Sequence, residues 1–190
     1  MNRMIQAVQN GGTAAAFLSL LALAPGAAQA QFNSNLGNVA LNAVVQQSIS
    51  VSVSAAAVNF NLVAGTGPTA GGPTLTVTTN WSLNPGGGPT LSLYGYFASS
   101  TAALTNGAGS NIPSANVLSS VNAGAPVGFT GSGPFGAAGG SRQIFSQGIT
   151  AANKSGTRND TLDLFINLTA QPNLPAGSYT GVLSLQAQAL

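Results

Sequence analysis

Side chains in this chain alternate between apolar and polar with a period of two. Ile49, Val51 and Val53 alternate with Ser48, Ser50 and Ser52, and Val58, Phe60 and Leu62 alternate with Asn59 and Asn61. Leu75, Val77, Thr79 and Trp81 share one side of a third segment, with Thr74, Thr76, Thr78 and Asn80 on the other. Leu91, Leu93, Gly95 and Phe97 oppose Ser92, Tyr94 and Tyr96, and further candidates run from Gln143 to Ile149, Leu162 to Leu168 and Tyr179 to Ala189. Neighbouring side chains of a strand point to opposite faces, so each segment reads as a pleat with one apolar face and one face of hydroxyls and amides. Helical spacing with capping residues occurs nowhere beyond residue 30.

Clusters of Gly, Pro, Asn and Ser at 64–73, 84–89, 106–113 and 122–140 supply the turns between these segments. Short strands separated by turns, with no helices between them, predict an all-β fold: a single antiparallel β-sandwich of immunoglobulin type, with about seven to nine strands. The stretch 122–140 is long for a structureless loop in a compact domain and is expected to hold a short edge strand around Val127 to Thr130.

The first thirty residues read as a cleaved secretory signal peptide. Arg3 gives a positive start, residues 13–24 a short apolar core, and Ala28-Gln29-Ala30 a small-x-small cleavage site after Pro25-Gly26. That apolar core is well short of the ~20 residues needed to span a bilayer. Residues 31–190 are then one domain, long enough to bury about 70% of the surface of its unfolded chain. The mature protein is expected to be secreted or held at the cell surface, passing through a periplasm if the envelope has an outer membrane, with no membrane insertion of its own.

Charge is nearly absent. Behind the leader only Arg142, Lys154, Arg158, Asp160 and Asp163 are charged, and the chain has no histidine, cysteine or glutamate. The side chains that usually act as general acid or base, activated nucleophile or soft metal ligand are therefore missing, which argues against an enzyme and against a cofactor. Asp160 and Asp163, an odd number of residues apart, point to opposite faces of a strand and do not suit paired-carboxylate chemistry. Lys154 beside Ser155 reads as a turn lysine, and the carboxylates are too few for a strong calcium site. Three basic against two acidic groups form no basic stripe for nucleic acid, and they give little repulsion between copies. Without disulfides, burial and sheet pairing must hold the fold.

Three groups of residues are candidates for function. Residues 153–160 read as a polar loop in which Arg158 and Asp160 form a surface ion pair worth ~0–1 kcal/mol. Trp81 and Phe97 share the apolar phase of their strands and read as core, whereas Tyr94 and Tyr96, on the opposite face from Leu91 and Leu93, are candidate surface-binding aromatics for a sugar ring or a partner. A single Thr74-Thr76-Thr78 ladder is like those of ice-binding surfaces, but without repetition in neighbouring strands it expresses β-propensity. Val39, Leu41, Ala43 and Val45 continue the parity of Ile49, Val51 and Val53, with Gln47 as the interruption. Typical strands have about three to ten residues, so the chain should bend near Gln46-Gln47-Ser48 and leave the first half as a separate strand. Pairing within its own domain is the default for this segment. Exchange into a neighbouring copy is the alternative.

Leu174-Pro175-Ala176-Gly177-Ser178-Tyr179-Thr180-Gly181-Val182-Leu183-Ser184-Leu185 resembles the closing motif of secreted bacterial pilin-like sandwich domains of the spore coat protein U type. In these an Ala-Gly-Ser/Thr-Tyr turn opens the last strand. The chain differs from that group in lacking cysteines and in ending on Ala189-Leu190 rather than an aromatic. The resemblance implies a role in surface fibres, adhesion and biofilm. The expected function is thus an exported, non-catalytic structural subunit of a cell-surface fibre, coat or matrix. Its expected partners are itself or related secreted subunits, joined by β-strand addition; the alternative is a secreted carbohydrate- or surface-binding module with glycans as ligands.

Overall fold

The computed structural model describes residues 36–190, so the leader and its cleavage site lie outside the described residues. The strands are β1 (Ser48–Val53), β2 (Thr69–Ala70), β3 (Leu75–Ser82), β4 (Thr90–Tyr96), β5 (Leu104–Thr105), β6 (Asn111–Ile112), β7 (Val117–Val121), β8 (Val127–Gly128), β9 (Ser141–Gly148), β10 (Ser155–Ile166) and β11 (Ser184–Ala189). The only helical element among the described residues is one 3-10 turn, Ser114–Asn116, and none is long and apolar enough to cross a membrane. Residues 43–190 form one compact unit.

All strand pairs are antiparallel. One sheet has the order β1-β3-β10-β7-β8, with β2 paired to the end of β10; a second has the order β11-β4-β9; β5 and β6 form a separate hairpin. The apolar parity of the strands meets between the two main sheets, where Val77, Leu91, Leu93, Ile112, Phe129, Leu162, Ile166 and Leu168 are buried. The protein is thus a β-sandwich whose two sheets do not close on each other. Seven of the strands are five residues or longer, and the other four are two-residue pairings too short to leave a periodic trace.

β1, β3, β4 and β9 fall where the alternation predicts them, and β8 is the short edge strand expected near Val127, paired with β7. β7, paired with β10, is not among the predicted strands, and three further segments differ. Val58 to Leu62 makes only an isolated bridge, Asn59 to Gly72. β11 starts at Ser184 rather than Tyr179, because Thr180 pairs instead with Thr105, and Gly181 passes so close to Ala103 that a Cβ there would overlap its carbonyl oxygen. β10 starts at Ser155 rather than near Thr161. Its inward positions there are Gly156, Arg158 and Asp160, none of them aliphatic, so the strand carries no apolar alternation to read. Gly156 is required where it sits, since a Cβ would run into the Trp81 indole.

Candidate functional site

The two long sides of the sandwich are finished differently. On one side Arg142 of β9 reaches across to the larger sheet, donating to the carbonyl and hydroxyl oxygens of Ser119 and to the Val127 carbonyl, 3.1 Å away. Burial pushes this guanidinium below its ordinary pKa. Phe129, just after β8 and fully buried, packs edge-on against Phe97, just after β4. That side is closed by side chains from both sheets.

The other side is open. Among the described residues β1 pairs only with β3 and β11 only with β4, so both strands are sheet edges, and they approach each other. Beside the end of β1 and the start of β11 lies an apolar cavity of about 300 Å³. Val53, Ala55 and Val58 form one wall, Leu183 and Leu185 the other, and core residues including Leu164 and Ile166 the floor. Leu183 and Leu185 are only half-buried although their parity is that of the core, and Val182 at the rim is 75% exposed. A second cleft of about 850 Å³, between residues 58–64 and 174–181, shares Val58, Phe60, Leu104, Ile166 and Gly181 with the first, so the two are continuous. Its far wall is the turn of the sequence motif, which Tyr179 closes by donating its hydroxyl to the Pro175 carbonyl at 2.9 Å.

The candidate strand-exchange segment, Val39, Leu41, Ala43 and Val45, lies in a stretch, residues 36–47, that forms no strand. β1 begins at Ser48, directly after this stretch. Leu41 is 92% exposed, and Leu36, Val39, Val44 and Val45 are exposed to a similar degree. Fully burying a Val or Leu side chain gives roughly 1.5–3 kcal/mol.

Lys154 sits in an exposed turn as expected, but residues 155–160 are the start of β10 rather than a surface loop. Asp160 is an inward position of β10, only 1% exposed, and Arg158 grips it with two hydrogen bonds, Nε to Oδ2 at 2.8 Å and Nη2 to Oδ1 at 2.9 Å. Asn122 donates a third, at 2.7 Å, while its own oxygen accepts from the Thr161 amide. The Arg158 guanidinium lies 4.6 Å over the Phe145 ring and is 37% exposed. Burial alone would raise the Asp160 carboxyl, but the hydrogen bonds from Arg158 and Asn122 and the charge of Arg158 outweigh it and hold the group below its ordinary pKa. Asp163 lies on the opposite face, as its parity requires, and accepts from Thr74. The two carboxylates therefore share no site.

Tyr94 and Tyr96 lie on the outer face of the smaller sheet, as predicted, with Gln186 and Gln143 opposite Tyr94 on either side. Sequence reasoning missed Phe135, which packs between them at ring-centroid distances of 5.9 Å and 5.8 Å. The glycine-rich loop carrying it lies directly on the tyrosines, since a Cβ on Gly136 would overlap Tyr96. The rings anchor this loop, and all three are half-buried. No protein-family model matches the chain, and no curated protein matches it either, so the resemblance at Leu174 to Leu185 rests on those residues alone.

Proposed function

We propose that this chain is an exported structural subunit of a cell-surface fibre, coat or matrix, and that copies join by β-strand addition. Residues Val39 to Val45 of one copy enter the apolar groove beside the end of β1 and the start of β11 of the next. One observation carries this reading: a sandwich left open along an apolar groove and an exposed segment with strand parity occur in the same chain. An inserted strand would pair with one of the two free edges, β1 or β11, and cover the apolar floor beside it.

A second copy suits the groove better than the chain's own segment. Entering its own groove would require the backbone to reverse within Val45-Gln46-Gln47-Ser48, directly before the edge strand β1. Tight hairpin turns need positive φ and favour Asn-Gly, Asp-Gly or Gly pairs, none of which occurs there. The lack of His, Cys and Glu, with Asp160 locked to Arg158, supports a non-catalytic role. The leader supports export. Deleting residues 31–45 is expected to leave a folded monomer that no longer polymerises, and a peptide of that segment should bind it. A truncated chain that still forms polymers would refute the reading.

A further inference from the structure

The early start of β10 creates a surface that the sequence did not reveal. On the outer face of the larger sheet the registers align three rows across three strands: Ser48, Ser82 and Ser155; Ser50, Asn80 and Thr157; Ser52, Thr78 and Asn159. Thr76 and Thr161 extend the pattern by one more row. Seven of the nine positions in the three full rows are exposed and the other two, Ser82 and Thr78, half-buried. No charged, aliphatic or aromatic side chain interrupts them. Two cross-strand bonds, Thr78 Oγ1 to Asn159 Oδ1 at 2.8 Å and Thr157 Oγ1 to Asn80 Oδ1 at 2.7 Å, fix the side chains in place.

We propose that this face binds ice. Its neutrality gives nothing to an ionic partner such as nucleic acid or a charged glycan. Without an aromatic ring it offers a sugar no stacking platform, and without aliphatic side chains it offers an apolar partner nothing to bury. What it presents is a grid of groups that both donate and accept hydrogen bonds, with strands about 4.7–4.9 Å apart and same-face residues roughly 6.6–6.8 Å apart along each strand. A flexible ligand would lose conformational entropy to match such a grid, whereas a crystal surface already has its order. In ice every lattice oxygen donates and accepts, and it repeats on the same scale of a few ångströms. Thr76 and Thr78 of the threonine ladder, uninformative alone, belong to this two-dimensional array, which ends where Thr74 meets Asp163.

The test is ice-crystal morphology and recrystallisation rate in supercooled solutions of the mature chain. The intact protein is expected to facet growing crystals and slow recrystallisation. The double variant Asn80→Lys with Thr157→Lys should lose both effects, and Ser146→Lys, exposed on the outer face of the smaller sheet, should keep them. If circular dichroism shows the double variant unfolded, Ser50→Lys on the edge strand replaces it with the same expected loss. Round, unmodified crystals with the intact chain at its highest soluble concentration would overturn the proposal. So would equal loss in Ser146→Lys, or retention on crystalline cellulose or chitin without any effect on ice, which would assign the face to a polysaccharide.

Discussion

Asp160 is the residue whose environment departs furthest from its sequence context. Counting back by twos from Ile166, Leu164 and Leu162 reaches Asp160, Arg158 and Gly156, so the parity signal for its burial was present; the polar neighbours Asn153 to Thr157 masked it. Removing either partner should be costly, but unequally. In Arg158→Ala the carboxylate stays buried with only Asn122 beside it, and a loss of about 3–5 kcal/mol is expected. In Asp160→Asn the guanidinium, already 37% exposed, can turn to water, so the loss should be nearer about 1–2 kcal/mol. Denaturant melts of the two variants measure this asymmetry. Because the folded carboxyl is held below its unfolded value near 3.9, its contribution is complete above that pH and is lost as pH falls through the lower folded value. Stability of the intact chain should therefore drop below about pH 4, and Asp160→Asn should flatten that drop.

Among the elements, most strands with an aliphatic face were legible from the sequence, whereas β7, with Ser119 and Ser120 at its centre, was not. β1 and β3 alternate most regularly, β4 and β9 less so because a bulge in their pairing leaves Ile144 and Phe145 both buried, and the inward residues of β3, β4 and β9 carry much of the core. The two-residue strands β2, β5 and β6 were not, since two residues cannot establish a period. The false start of β11 has a local physical cause at Gly181, where the backbone touches that of Ala103 and follows the Thr105 pairing instead of β4. Gly181→Ala should force this contact apart and lower stability by about 1–3 kcal/mol, read as a fall in melting temperature. Gly177→Ala, four residues earlier and with no atom within 4 Å of its added Cβ, should change stability by less than about 0.5 kcal/mol. Equal effects would place the β11 boundary elsewhere.

For the whole molecule, the sequence indicated a sandwich and a separate N-terminal segment of strand parity, but not the groove. The cavity depends on which strands lie at the edges, and edge position is set by long-range pairing order rather than by local pattern. Assembly through buried aliphatic side chains and backbone pairing, between copies that carry little charge, should depend only weakly on salt. Polymerisation followed by light scattering between low and high sodium chloride should give similar rates. Because the chain has no cysteine, introduced thiols report a single contact. Leu183→Cys in one preparation is mixed with a second carrying Cys at one position from 39 to 45, and the mixture is oxidised. A disulfide requires Cα atoms about 4.4–6.8 Å apart. Strand addition predicts a cross-linked pair from the mixture with Cys at one or two adjacent members of the set Val39, Leu41, Ala43 and Val45, and little from Ala40, Asn42 or Val44. Cross-linking that ignores this parity, or no mixed pair at any position, would contradict insertion of this segment into the groove.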